Sequence, residues 1–251
     1  MREGEWFHDQ RVPRGMWSVI RMDGRCFSRL TRYFSKPFDF SFRDAMTLTA
    51  RDVLKEMGGA YAYVESDEIS VLLRPDYDFC SREVEKIVSL SASVATAKFN
   101  VEIWNRNSFY PNAHFDSRIW IGANESAVID YFRWRMSDST RCALNGWCYW
   151  KLREDGLSER AATSALYGMG PDGKNELLFQ RGINFNDLPA WQRRGTGLRY
   201  ETYEKEGFNP KTQKFVKCVR RRIMTDDDLP MKDAYRDYLL EIMKTDDPKE
   251  G

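Results

Sequence analysis

Hydrophobic and polar positions follow two different periods in the first half of the chain. Four apolar runs have the length and side chains of strands: 17–22, 60–64, 69–73 and 117–121. Two longer stretches, 38–57 and 81–99, repeat apolar residues at helical spacing, and Gly58-Gly59 ends the first of them. The order is therefore β-α-β-β-α-β, the split βαβ or ferredoxin-like arrangement. It predicts an α+β fold with helices on one face of an antiparallel sheet and the other face free for a substrate.

The second half is mainly helical in pattern and ends in a hairpin. Residues 126–152 and 158–167 read as helices, with Ser158 as the N-cap of the second. Residues 168–173 read as a loop and 175–180 as a short apolar segment. Two strand-like runs, 198–203 and 214–219, flank Gly207-Phe208-Asn209-Pro210 and predict a β-hairpin. The tail from Thr225 is charged, and we expect it, with its acidic triplet 226–228, to be a loosely held loop and terminus.

Composition narrows the class of protein. The chain has 251 residues and a formal net charge of +1, so a nucleic-acid partner would have to be bound by local basic patches. No stretch approaches the roughly 20 apolar residues of a membrane span, and the first 13 residues lack the apolar core of a signal peptide. The five cysteines are scattered and only two histidines are present, which disfavours a zinc site. We expect a cytoplasmic protein with reduced thiols.

Two acidic clusters interrupt the strand-like runs. Asp23-Gly24-Arg25 follows the first run, and Ser66-Asp67-Glu68 joins the second to the third. In a ferredoxin-like sheet the first and third strands are neighbours, so we expect Asp23 to lie beside Asp67. Such a pair suits Mg²⁺, which proteins hold with one or two carboxylates plus substrate phosphates. Gly24, lacking a side chain, would leave its carbonyl open to the metal. The alternative is that both clusters are ordinary turn residues.

Further short motifs follow in a fixed order along the chain. Together with Asp23 to Phe27 and Glu65 to Glu68, they are Ser35-Lys36-Pro37, Phe115 to Arg118, Asp130 to Arg135 with Asp138, Lys174 to Phe179, Gly182 to Asn186, and Arg193 to Thr196. Each motif is weak alone. The ordered set resembles the tRNA-histidine guanylyltransferase family, which includes the guanylyltransferase-like 3′–5′ polymerases.

This resemblance implies a fold and a reaction. The fold would be a polymerase palm over residues 1–140, with a helical and hairpin region over 141–251 completing the nucleotide and tRNA site within one compact unit. ATP would activate the 5′-monophosphate of a tRNA, and the 3′-hydroxyl of GTP or another NTP would then attack the activated end. The resemblance also implies two Mg²⁺ ions and a homotetramer.

The resemblance assigns roles to individual residues as well. Asp23, Asp67 and the Gly24 carbonyl would hold the metal, and Glu68 would support the catalytic site. The implied nucleotide-binding residues are Arg25, Phe27, Lys36, Ser66, Arg118, Lys174 and Asn186. The implied tRNA-binding residues are Arg135, Asp138, Arg193 and Arg194. Basic side chains suit both tasks because phosphate oxygens accept charge-assisted hydrogen bonds; the alternative for each of them is a solvated surface cation.

One departure from the family pattern bears on the substrate. Members specialised for histidine tRNA carry a His-Ile-Asn-Asn segment where this chain has Thr140-Arg141-Cys142-Ala143, and Ser28 replaces a further histidine. Loss of these groups favours the like-protein branch, which repairs 5′-truncated tRNA by templated addition. The alternatives are addition of G to histidine tRNA, another palm-fold enzyme such as a nucleotide cyclase, and a non-catalytic tRNA-binding module.

Overall fold

The protein is built around one six-stranded antiparallel sheet. The computed structural model describes residues 4–209 and 213–245. In chain order the strands are β1 (Trp17–Gly24), β2 (Tyr61–Glu65), β3 (Glu68–Leu73), β4 (Phe115–Gly122), β5 (Thr196–Asn209) and β6 (Lys214–Asp226). Their order across the sheet is β4-β1-β3-β2-β5-β6. The α+β prediction is confirmed, and β1 lies between β3 and β4 as the ferredoxin-like order requires.

Helices cover both faces of this sheet. On one face α2 (Phe40–Glu56) and α3 (Val84–Asn107) pack against the strands around a core that includes Phe99. On the other face α4 (Glu125–Glu154) and α8 (Lys232–Lys244) bury Tyr61 of β2. The expectation of a free sheet face was therefore wrong. Val19 and Leu72 on that face are too apolar to be left in water, since burying each of these side chains contributes roughly 1.5–3 kcal/mol.

The second half departs from prediction at one helix. Ser158 caps α5 (Glu159–Leu166), its side chain accepting a hydrogen bond from the Ala161 N–H, as predicted. However, α6 (Pro171–Phe179) begins inside the segment that was predicted to be a loop, and the short helix α7 (Ala190–Arg194) follows it. Pro171 occupies the first turn of α6, where the missing N–H would have had no partner within the helix. The predicted division at residue 140 falls inside α4, so no break in the chain marks it.

The C-terminal hairpin is longer than predicted. Residues 196–199 of β5 pair with β2, which extends the sheet, and β5 pairs with β6 as far as Asn209 opposite Lys214. Pro210 of the predicted turn lies outside the described residues.

The described part of the tail, residues 225–245, is not loose. The α8 helix packs against the core through Tyr235, Leu239, Ile242 and Met243, which recur at helical spacing. The acidic triplet 226–228 is also held in place, because each aspartate pairs with an arginine: Asp226 with Arg199, Asp227 with Arg43 and Asp228 with Arg194. Among the described residues, no helix combines the length and the apolar character needed to cross a bilayer.

Candidate active site

The two acidic clusters meet at one end of the central strands. In the register of the sheet, Asp23 lies opposite Glu68 of β3 and opposite Asp116 of β4. The Gly24 N–H donates a hydrogen bond of 3.0 Å to the Asp67 carbonyl, which ties β1 to the β2–β3 turn. The proximity of Asp23 and Asp67 inferred from topology is thereby found in the structure.

Local packing explains why these residues adopt this geometry. Ser66 has φ 49°, in the left-handed region, which lets two residues connect the Glu65–Glu68 pair of the hairpin. Gly24 is constrained from the other side, since a Cβ there would lie 2.6 Å from the Phe27 ring. Phe27 begins the short helix α1 (Phe27–Leu30) and is 3% exposed. Its ring packs in the core, so a nucleotide contact by this side chain does not fit.

Electrostatics at the pair favour a cation. Burial raises the pKa of Asp67, and the charge of Asp23 adds to that rise. Within residues 4–209 and 213–245, neither Asp23 nor Asp67 forms an ion pair with a basic side chain. The two nearby arginines pair elsewhere: Arg118 with Asp116, and Arg21 with Glu68. The described chain also holds no group of three or more His, Cys, Asp or Glu positioned for a metal. Two facing carboxylates fit a Mg²⁺ that takes its remaining ligands from substrate phosphates and water.

A buried ion-pair network flanks the pair. Arg135 of α4 is 6% exposed, and its Nε donates to Glu68 at 2.7 Å. Its Nη2 bonds Glu65 and, at 3.2 Å, Asp138. Contact of Arg135 with tRNA does not fit this placement because its guanidinium is enclosed and already bonded to three carboxylates. Asp138 accepts hydrogen bonds from Arg141 and Arg135, and mainly the first of these lowers its pKa, against the effect of its partial burial.

Beside the carboxylates lies a cavity of about 390 Å³. Asp23, Ser66 and Asp67 line one side of it, and Lys36 lies in the segment that leads into α2. Partial burial lowers the pKa of Lys36, against the opposing charge of Asp39. The Lys36 Nζ sits 5.3 Å from the centroid of the Trp150 ring. A partly desolvated ammonium in the same cavity as two aspartates suits a phosphate group bridged to a metal.

The structure does not bring all of the predicted residues to this cavity. Lys174 and Arg194 line a second cavity of about 620 Å³, on the opposite side of α4. Arg25 and Asn186 are exposed, and Arg193 donates to the Leu188 carbonyl at 2.8 Å. None of these three residues lines either cavity. Arg118 is exposed on β4, where its bond with Asp116 raises its pKa and the charge of Asp23 adds to that rise.

Sequence reasoning missed two residues of the site, Glu65 and Arg21. Glu65 is buried, and its pKa is raised to about 8 by that burial and by the nearby Glu68, against the pull of Arg135. Arg21 sits on β1 with its Nε 3.7 Å from Glu68. Glu65 adjoins the acidic cluster, which was a usable signal. Arg21 had no signal, because an arginine in an apolar strand acquires a partner only when the sheet forms.

The fold and this site indicate a class of protein: an α+β enzyme whose paired carboxylates and lysine, at one end of an antiparallel sheet, suit the chemistry of phosphate groups. The model of the tRNA(His) guanylyltransferase family matches residues 1–122, and that of its C-terminal domain matches residues 126–233. The chain therefore belongs to the tRNA(His) guanylyltransferase family, and it is a nucleotidyltransferase.

Individual relatives agree with this membership. The chain is 34% identical to a probable tRNA(His) guanylyltransferase of Drosophila melanogaster over 198 residues, covering 76% of this chain and 69% of the relative. It is 30% identical to a probable tRNA(His) guanylyltransferase of Dictyostelium discoideum over 231 residues, covering 89% of each.

Solved structures agree as well. A bacterial tRNA(His) guanylyltransferase-like protein in complex with ATP matches with a TM-score of 0.72 and 28% identity, covering 95% of both chains. A bacterial tRNA(His) guanylyltransferase-like protein in complex with GTP matches with a TM-score of 0.70 and 26% identity, covering 95% of this chain and 94% of that one.

Proposed function

We propose that this protein adds nucleotides in the 3′–5′ direction to the 5′ end of 5′-truncated tRNA, with template pairing choosing the nucleotide. ATP would activate the 5′-phosphate, and an NTP would be the nucleotide added. The observation that carries the proposal is the convergence of Asp23 and Asp67 on the cavity that Lys36 and Ser66 also line. The ATP- and GTP-bound structures of like proteins support nucleotides as the ligands of this cavity.

The residues present suit the chemistry of nucleotidyl transfer. Asp23 and Asp67, with the Gly24 carbonyl, would hold two Mg²⁺ ions, which when bound supply charge stabilisation at the attacking and leaving oxygens. Lys36 and the Ser66 hydroxyl would bind and orient the phosphates of the nucleotide. Arg118 lies on the edge strand β4, opposite Arg21 of β1 and near Asp23. If its ion pair with Asp116 opened, Arg118 would bind the outer phosphates of the nucleotide.

The second cavity supplies a surface for RNA. The charged side chains that line it are all basic: Arg133, Arg141, Lys174, Arg194 and Lys232. Arg133, Arg141 and Arg194 are each paired with an aspartate, whereas Lys174 and Lys232 form no ion pair within the described residues. In a protein of net charge +1, these two lysines are the local positive charge that a nucleic-acid backbone would meet here. Lys174 and Arg194 would thus contact tRNA at this second cavity. Lys174 is therefore assigned to tRNA and not to the nucleotide, which was the role that the resemblance implied.

The choice of tRNA separates two candidates. Thr140-Arg141-Cys142-Ala143 carries no imidazole or amide side chain, and Arg141 pairs with Asp138 of its own helix. That composition favours repair of truncated tRNA over reading of a histidine anticodon. Addition of G to histidine tRNA is the second candidate, because the curated relatives carry that name.

One assay tests both the chemistry and the substrate. Labelled NTPs are offered with ATP and Mg²⁺ to a tRNA lacking its first nucleotide and, in parallel, to intact histidine tRNA. We expect preferential labelling of the truncated tRNA, and preference for histidine tRNA would select the second candidate.

A pair of variants tests the carboxylates. Asp67→Asn should lower the rate about 10³-fold, because losing a metal ligand removes several kcal/mol of charge stabilisation. Asp237→Asn, at an exposed aspartate on α8, is the matched control. Wild-type rates in Asp67→Asn would exclude the assignment of this residue as a ligand.

A further inference from the structure

Arg135 is placed to set the geometry of Asp67, because it lies at the wall of the same cavity with its Nε and Nη2 already bonded to carboxyl groups. Its Nε and Nη2 atoms bond Glu68 and Glu65, the two residues that close the β2–β3 turn. The two residues between them are Ser66 and Asp67. A single guanidinium therefore ties together both ends of the turn that carries Asp67.

The guanidinium is itself held in place from several directions. Nη2 also bonds Asp138, three positions along the same helix, at 3.2 Å. The Trp134 ring lies over the Arg135 guanidinium at 4.5 Å and over that of Arg21 at 5.7 Å. Arg21 reaches the second carboxylate oxygen of Glu68 at 3.7 Å. The position of the turn relative to β1 thus depends on an enclosed set of charges.

Two features make the turn dependent on such support. Ser66 adopts a left-handed φ of 49°, which is unfavourable for a residue with a side chain. Glu65 and Glu68 are both buried and lie opposite each other, so their carboxyl oxygens depend on hydrogen-bond donors supplied by the protein. Without the guanidinium that bonds both of them, the two ends of the turn would separate, and the Gly24 to Asp67 hydrogen bond would be strained.

We propose that Arg135 is a positioning residue, which holds the β2–β3 turn so that Asp67 faces Asp23 at the spacing a divalent cation requires. The proposal rests on the proposed function for the role of the metal. Arginine is needed because its planar fork presents two donors along one edge, whereas the single nitrogen of a lysine reaches fewer acceptors in fixed directions.

The experiment compares Arg135→Lys with Arg74→Lys, which serves as the control for lost stability. Arg74 follows β3 at its far end and donates to three carbonyls at the end of α8: those of Ile242, Met243 and Thr245. The probe is Mn²⁺ alone, titrated with the intact chain and followed by the electron paramagnetic resonance of the free ion. Exchange of the Gly24 amide with solvent, measured by NMR, reports the turn independently of metal.

We expect Arg135→Lys to weaken Mn²⁺ binding about tenfold and to accelerate Gly24 exchange by at least the same factor. Arg74→Lys should leave both unchanged although its melting temperature falls. Equal Mn²⁺ affinity and equal Gly24 exchange in Arg135→Lys and wild type would overturn the proposal.

Two further outcomes keep this proposal separate from the proposed function. If the wild type binds no Mn²⁺, the metal assignment fails, and accelerated Gly24 exchange in Arg135→Lys alone decides whether the turn is held by this residue. If Arg135→Lys does not fold, Glu65→Ala replaces it. That variant removes one of the two bonds across the turn, so its Gly24 exchange should be faster than in wild type, and unchanged exchange would refute the proposal.

Discussion

Gly24 links the apolar core to the carboxylate pair. The ring of Phe27 packs against its Cα, and its N–H donates a hydrogen bond to the Asp67 carbonyl. In Gly24→Ala the new Cβ would lie 2.6 Å from the Phe27 ring, whereas ordinary contacts begin at 3.4 Å. The ring would have to retreat by 0.8 Å, the difference between these two distances. It has little room to do so, because its centroid is 5.0 Å from that of Phe115 and 5.2 Å from that of Phe99.

The expected cost follows from this lack of space. Overpacking a filled core costs about 1–3 kcal/mol. In a chain of this size, each kcal/mol lowers the melting temperature by about 2–4 °C, so Gly24→Ala should lower it by roughly 2–12 °C. The rate should suffer more than stability does, because Asp23 precedes Gly24 and the Gly24 N–H holds Asp67. A displacement of about 1 Å at reacting groups costs on the order of 10²-fold in rate.

The assay combines thermal unfolding with incorporation of labelled NTP into truncated tRNA. Gly170→Ala is the control, since a Cβ at Gly170 meets nothing within 4 Å. The double variant Gly24→Ala/Phe27→Leu should lose less unfolding free energy than the sum of the losses in the two single variants, because the smaller leucine removes the clash. Wild-type melting temperature and rate in Gly24→Ala would show that the ring moves freely and that this reasoning is wrong.

Two further predictions concern pH and salt. Glu65 has its pKa raised to about 8 in the fold, so the folded state binds its proton more tightly, and the contribution of Glu65 to the free energy of unfolding should fall as pH rises from about 4.5 to about 8. Glu65→Gln should flatten that decline in urea unfolding compared at about pH 5 and pH 8, and an unaltered decline would contradict the assignment. In the second cavity, Lys174→Ala should lower the slope of log affinity for tRNA against log salt by about 0.7–0.9, one phosphate contact. Lys86→Ala, at a lysine of α3 paired with Glu83, should leave the slope unchanged, and equal slopes in wild type and Lys174→Ala would remove this lysine from the RNA surface.

Predictions made from local pattern succeeded where the pattern was strong. The β-α-β-β-α-β order was confirmed because each strand alternates or runs apolar between turn residues and Gly58-Gly59 stops the first long helix. Helix α6 was missed because the Gly-Pro-Asp-Gly segment 170–173 has the composition of a loop, although proline is favoured in a first helical turn. Helix α8 was missed because its charges obscured four apolar residues at helical spacing.

Site residues were harder to predict because their roles depend on burial. Asp23 and Asp67 could be paired from strand order alone, since the topology brings the first and third strands together. The burial of Arg135 could not be predicted, because its motif suggested either a phosphate contact or a solvated surface cation. Only the packing of α4 against the sheet encloses its guanidinium among Glu65, Glu68 and Asp138.

The sequence by itself determined the order of elements, the two acidic clusters and the resemblance to a nucleotidyltransferase family. These are properties of local periodicity and of short motifs, and they persist whatever the chain later packs against. The tertiary structure decided that α4 and α8 close the second sheet face, that Lys174 lies across α4 from the carboxylates, and that Arg135 faces inward. The reason is physical: burial and ion pairing are set by which surfaces meet, and those surfaces belong to segments far apart along the chain.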